Sequence, residues 1–188
     1  MVASSQTTYC YRVDGEDNIA FVDHWWLAFA RENGAAALVE QKVLGRSLWE
    51  FICDPPTRQL YKELHAHVRA TNRSILVPFR CDSPTLKRFM ELKISPYPAG
   101  QLLYESRLLQ AVPQRPLSVL ERGGEAAQAF LTMCSICKRS LIEPSGWLEL
   151  QNISLKLRTF EQANPQLRYT VCPRCAKALQ PVPDAAGP

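Results

Sequence analysis

Four cysteines near the C-terminal end have the residue types and spacing for metal chemistry. They read Cys134-Ser135-Ile136-Cys137 and, after residues 138–171, Cys172-Pro173-Arg174-Cys175. A Cys-x-x-Cys turn aims two thiolates at one centre from a short knuckle of backbone. Two knuckles supply four soft ligands, the requirement of a tetrahedral structural zinc site. Lys138, Arg139 and Arg174 flank the knuckles and offset the negative charge that a four-thiolate zinc centre carries. An iron–sulfur cluster and a redox-active dithiol pair use the same ligands and stay open as alternatives. Covalent haem attachment is excluded, because Lys138 and Ala176, not His, follow the second cysteine of each knuckle.

The rest of the composition narrows the classes. The chain has 188 residues, 46% apolar and 21% charged, enough for one domain of ordinary size plus a small appendage. Seven cysteines in a chain without a secretory opening point to metal or thiol chemistry rather than disulfides. Residues 1–8 are polar and uncharged, and no apolar run reaches membrane-spanning length, so a cytoplasmic, membrane-free protein is expected. The net charge of +4 permits a nucleic-acid partner without arguing for one, and residues 115–188 carry nine Lys/Arg against six Asp/Glu. No Gly-rich phosphate loop and no Ser/His/Asp or Cys/His arrangement occurs, so no enzyme is expected.

The elements before the knuckles follow from local pattern. Tyr9, Tyr11 and Val13 alternate with polar residues as a strand. Residues 15–18 are turn chemistry, and residues 19–22 form a second strand. Asp23 caps a helix over residues 24–32 with Trp25, Trp26 and Phe29 on its apolar side. A short helix is expected over residues 35–42 and a helical start at Ser47. Asp54-Pro55-Pro56 opens a longer helix to about Thr71, with Leu60, Leu64 and Val68 along its apolar side. The period then changes to strand. Ile75, Val77, Phe79 and Cys81 share one face, followed by residues 86–94 and 102–109 as the second and third strands of a meander. Arg80, Glu91 and Arg107 fall on the polar faces and are expected as a cross-strand charge row, either a ligand or dimer contact or an exposed salt bridge.

That order, with the residues Asp17-Asn18-Ile19-Ala20-Phe21-Val22-Asp23, the Leu44-Gly45-Arg46-Ser47-Leu48-Trp49 turn and the meander from Arg80 to Arg107, resembles a PAS domain over roughly residues 9–110. The Val77-to-Pro84 stretch is similar to a bacterial subset of the family. The cysteine segment, Met133-Cys134 to Lys138, Gly146-Trp147 and Cys172-Pro173-Arg174-Cys175, resembles an element found near PAS domains in bacterial signalling proteins. The resemblance implies an α+β fold: a five-stranded antiparallel sheet with helices over one face, followed here by a small zinc-binding module. It also implies a sensor of a small ligand, redox state or light that acts on a partner, often as a dimer.

The expected organisation is a sensor domain over residues 1–112, a connector over 113–131, the four-cysteine module over 132–180 and a disordered tail over 181–188. The expected function is non-enzymatic bacterial signal transduction through a partner protein or a homodimer. The alternatives are a zinc-dependent nucleic-acid-binding regulator and a thiol redox sensor that releases zinc on oxidation. In ligand-sensing members the pocket lies under the inward strand face. Here Trp49, His67, Cys81, Met90, Tyr104 and Ser106 are the candidate lining, with Phe51 and Leu64 beside them. His65 and His67 lie where haem-binding members carry their axial His, and the helix before Cys53 lacks the flavin-adduct motif of photoreceptor members. These large side chains favour a filled or small cavity with neither haem nor flavin.

Overall fold

The computed structural model describes residues 7–120, 130–152 and 165–180. Thr8–Val13 (β1) and Ile19–Val22 (β2) pair antiparallel. Asp14 closes the turn between them by accepting from the N–H groups of Glu16 and Asn18, each at 2.9 Å. His24–Glu32 (α1) starts at Asp23, whose carboxylate accepts from the Trp26 N–H at 2.6 Å. Trp25 is half exposed rather than on the apolar side, and Ala30 is the buried residue of this helix.

The helix expected over residues 35–42 forms only at Glu40–Val43 (α2). Ala36 and Ala37 are exposed, and a short helix without an apolar face to pack gains too little to form. Leu48–Glu50 is a 3-10 turn closed by a capping box between Ser47 and Glu50. Pro55–Thr71 (α3) starts at Asp54, which accepts from the Thr57 N–H at 2.9 Å, and ends at Asn72 in the left-handed conformation. Thr57, Leu60, Leu64, His65 and Val68 form its buried stripe.

Ile75–Arg80 (β3), Leu86–Tyr97 (β4) and Gln101–Pro113 (β5) complete the first sheet, whose order is β2-β1-β5-β4-β3, all antiparallel. Ala99 and Gly100 make the β4–β5 turn with φ of 59° and 71°; Gly100 takes the left-handed conformation without strain, and Ala99 takes it at a steric cost that the turn imposes. β5 runs past the expected end at Leu109 because β4 offers it backbone partners as far as Leu86, opposite Pro113. Proline has no N–H to donate, and the strand stops there. The inner face contributes Val13, Val77, Leu92, Ile94, Leu102 and Tyr104 to one core with Leu60, Leu64 and Val68 of α3. This is the PAS-like sheet with helices on one face.

The second unit is built from Phe130–Cys134 (β6), Ser140–Ile142 (β7), Gly146–Leu148 (β8), Gln166–Thr170 (β9) and the short helix Pro173–Leu179 (α4). Its sheet order is β8-β7-β6-β9. Leu117 and Val119, which fall in the expected connector, are buried with Leu131, Met133, Ile142 and Leu150 in a second core. Residues 121–129 of the expected connector lie outside the described residues, and Phe130 and Leu131 at its end open β6. The expected tail over 181–188 also lies outside them. No helix among the described residues is long and apolar enough to cross a membrane.

Candidate metal centre and its junction with the sheet

β6 and β9 are parallel neighbours in register, with Met133 opposite Tyr169 and Cys134 opposite Thr170. Each strand runs directly into one knuckle, so parallel pairing delivers both Cys-x-x-Cys turns to the same end of the sheet. The Ser135 N–H donates to the Thr170 carbonyl at 2.7 Å and fixes the two turns together. Lys138 leaves the first knuckle with φ of 59°, which lets the chain reverse into β7. Cys172 caps α4, its sulfur accepting from the Cys175 N–H at 3.5 Å.

The four sulfurs lie within 4.8 Å of one another, and the Cys137 and Cys172 sulfurs are 3.8 Å apart. Thiolates about 2.3 Å from a tetrahedral zinc stand about 3.8 Å from each other, so the donor set fits that ion. Cys134, Cys172 and Cys175 are buried and Cys137 half-buried. Donation from the Cys137 thiol and from backbone N–H groups holds the Cys134 thiol down at about 4, against the cost of burial. The same contact raises the Cys137 thiol, and burial with the nearby Cys134 charge pushes Cys175 up to about 12. Four sulfurs this close cannot all ionise against each other, and a bound cation removes that conflict. The cluster can therefore hold a metal ion.

The knuckle docks on the exposed edge of the first sheet. The Arg80 N–H of edge strand β3 donates to the Ile136 carbonyl at 2.8 Å, between the two cysteines of the first knuckle. The Thr57 and Ser135 hydroxyls meet at 2.5 Å. Cys134, Ile136, Cys172 and Cys175 belong to the same apolar cluster as the inner face of the first sheet. The expected charge row forms only in part. Arg107 donates to Glu91 at 2.9 and 2.5 Å, but Arg80 turns away and is buried. Its guanidinium pairs with Asp82 and with both oxygens of Glu149, at 2.8 and 2.6 Å. Lys87 and Arg139 approach Glu149 at 3.6 and 3.5 Å. Burial pushes the Glu149 carboxyl up, yet donation from Arg80 outweighs it and the carboxyl is held below the usual range.

The six candidate pocket residues do not converge. Tyr104 and Met90 are buried on β5 and β4, and Trp49 is half-buried on the 3-10 turn. Ser106 is half-buried between Leu92 and Tyr9 in the sheet. Cys81 is half-buried just past the end of β3, and His67 is half-buried on α3. The inner position belongs to His65, because His65 and not His67 lies on the stripe with Leu64 and Val68. His65 is 1% exposed, its ring 5.3 Å from Trp49, with Nδ1 2.8 Å from Asp17 and Nε2 bonded to the Tyr104 hydroxyl. Both ring nitrogens are engaged, so a haem on His65 would have to displace Tyr104.

Asp17 also accepts from Arg69 at 2.7 Å. Burial pushes its carboxyl up, but donation from His65 and Arg69 outweighs this and holds it low. The stabilisation from Asp17 is therefore full above the ordinary carboxylate range and is lost as pH falls through the lowered value. Tyr104→Phe is expected to leave the buried Nε2 of His65 without a donor and to cost about 1–3 kcal/mol. Urea unfolding measures it as a lower midpoint at unchanged slope, and an unmoved midpoint would show that the contact adds nothing.

No family model matches this chain, and no curated protein matches it either. Among solved structures it is similar to the photoactive yellow protein domain from the sensor histidine kinase Ppr of Rhodospirillum centenum, at 13% identity and a TM-score of 0.39, covering 53% of this chain and 90% of that one. It is also similar to a sensory box sensor histidine kinase from Vibrio cholerae, at 10% identity and a TM-score of 0.41, covering 58% of this chain and 84% of that one. Likeness at this distance assigns no function, and the architecture stands on its own strand order. The chain joins a five-stranded PAS-like sheet to a four-cysteine cluster fit for a metal ion.

Proposed function

We propose that this protein is a non-enzymatic bacterial signalling protein, a PAS-like sensor whose edge strand is held by a zinc-stabilised module. The observation that carries the reading is the bond from the Arg80 N–H to the Ile136 carbonyl. Through it, a change at either the sheet or the metal centre displaces the other. The module acts as a coupling element, and the output is a change in what the chain binds. A nucleic-acid regulator is the weaker reading, because Arg80, Lys87 and Arg139 converge on Glu149 instead of forming a basic stripe.

Amide hydrogen exchange tests the coupling. Stripping the metal with a chelator is expected to expose amides across residues 75–94 while the rest of the first sheet stays protected. Unchanged protection at β3 would make the module an independent appendage and end the reading. We also propose a homodimer through the outer sheet face, where Leu76 is 57% and Leu109 48% exposed. Light scattering at high micromolar concentration is expected to give twice the chain mass, and a monomer mass would contradict it.

A further inference from the structure

Between α3 and β9 the two units leave a cleft of about 720 Å³. None of the six residues singled out from the sequence as a pocket lines it. Tyr11 of β1, Tyr61 of α3, Tyr169 of β9 and Phe51 line it. Burial pushes the Tyr61 phenol up to about 12, as an apolar wall does. Thr57 and Ser135 also line it, and their hydroxyl contact joins the two units there.

The charged groups in this cleft are unequal. Lys138 and Arg168 line it, and among the described residues neither forms an ion pair with a carboxylate. Lys138 is anchored by donating to the Ser135 carbonyl at 2.9 Å and lies 5.2 Å from the centre of the Tyr169 ring. The Arg168 guanidinium stacks on Phe130 at 3.4 Å, which fixes its plane and leaves its charge. The acidic member of the lining, Asp54, is occupied as the cap of α3. A space of several hundred Å³ with aromatic walls, a few convergent polar groups and a position between two units has the form of a small-molecule site.

We propose that this cleft binds a small aromatic acid, with its ring between the tyrosines and its carboxylate or sulfonate on Lys138 and Arg168. The site exists only where the cysteine module meets α3, so an occupant bridges the sensor sheet and the metal module. The proposal gives the sensor reading a ligand and rests on that reading for its purpose alone. Binding is measured on the purified chain. A ligand bound without the exchange coupling, or coupling without a ligand, therefore shows which of the two has failed.

The probe is 1-anilinonaphthalene-8-sulfonate, titrated into the full metal-loaded chain and followed by fluorescence. Saturable binding at one site is expected, displaced by 2-naphthoate and not by its uncharged methyl ester. Arg168→Gln removes one cation, and Cys53→Glu places a carboxylate at the exposed rim without removing a buried group. Each is expected to weaken binding about tenfold, Arg168→Gln through the loss of one charge-assisted contact and Cys53→Glu through repulsion of the anion. Lys93→Gln, on the outer face of the first sheet, is expected to leave binding unchanged. Near-UV circular dichroism confirms that each variant is folded. Absence of saturable binding, equal displacement by the ester, or full affinity in both cleft variants of native fold would overturn the proposal.

Discussion

Replacing Cys172 by serine is expected to abolish stoichiometric metal binding and to loosen residues 130–180. Cys172 contributes more than one ligand. Its sulfur lies 3.8 Å from that of Cys137 and accepts from the Cys175 N–H, and its own N–H donates to the Cys134 sulfur at 3.4 Å. Structural zinc in small modules contributes about 10–16 kcal/mol of apparent binding energy at neutral pH, and that energy is folding energy. A serine hydroxyl stays protonated where a thiolate is required, so the affinity falls by orders of magnitude. Metal analysis of the freshly purified chain is expected to give one zinc per chain, and the serine variant little or none. Full occupancy in the variant would remove the four-cysteine assignment. The second core of Leu117, Leu131, Met133 and Ile142 is small, and without the metal it has little else to close it. The first sheet has its own core with α3 and is expected to remain folded, as far-UV circular dichroism of the stripped chain would show. A single cooperative melt of the whole chain on chelation would instead make the two units one domain.

Arg80→Met is expected to destabilise the chain by about 3–5 kcal/mol, the range for removing one partner of a buried ion pair. The Arg80 and Asp82 side chains are 9% and 4% exposed, and without the guanidinium Asp82 loses its buried ion-pair partner. Methionine fills much of the space, so the loss comes from electrostatics rather than a cavity. Glu149 loses its strongest donor at the same time, leaving Lys87 and Arg139 at 3.6 and 3.5 Å. The wild-type carboxyl is held low, so its stabilisation is present above the ordinary carboxylate range and disappears as pH falls through the lowered value. The variant is therefore expected to show both a lower urea midpoint at neutral pH and a flatter loss of stability toward acid. Equal stability of variant and wild type would show that the cluster is a surface pair of little worth.

The knuckles, α1, α3 and the strand cores were legible in the sequence because each is specified locally. Cys-x-x-Cys aims its own ligands, Asp54-Pro55-Pro56 opens its own helix, and alternation such as Val77-Pro78-Phe79 marks its own inner face. That the two knuckles share one centre was suggested by their matched spacing, but the parallel pairing of β6 with β9 brings them together. Contacts between distant segments decided the remainder. Alternation places Arg80 on a solvent face, and it is buried because Glu149 arrives from 69 residues further on. His65 and His67 are indistinguishable as residue types on one helix. His65 is the inner one because Asp17, 48 residues earlier, and Tyr104, 39 residues later, satisfy both its nitrogens. A buried polar group is stable only with its partners, and no local pattern encodes partners that the fold alone brings within reach.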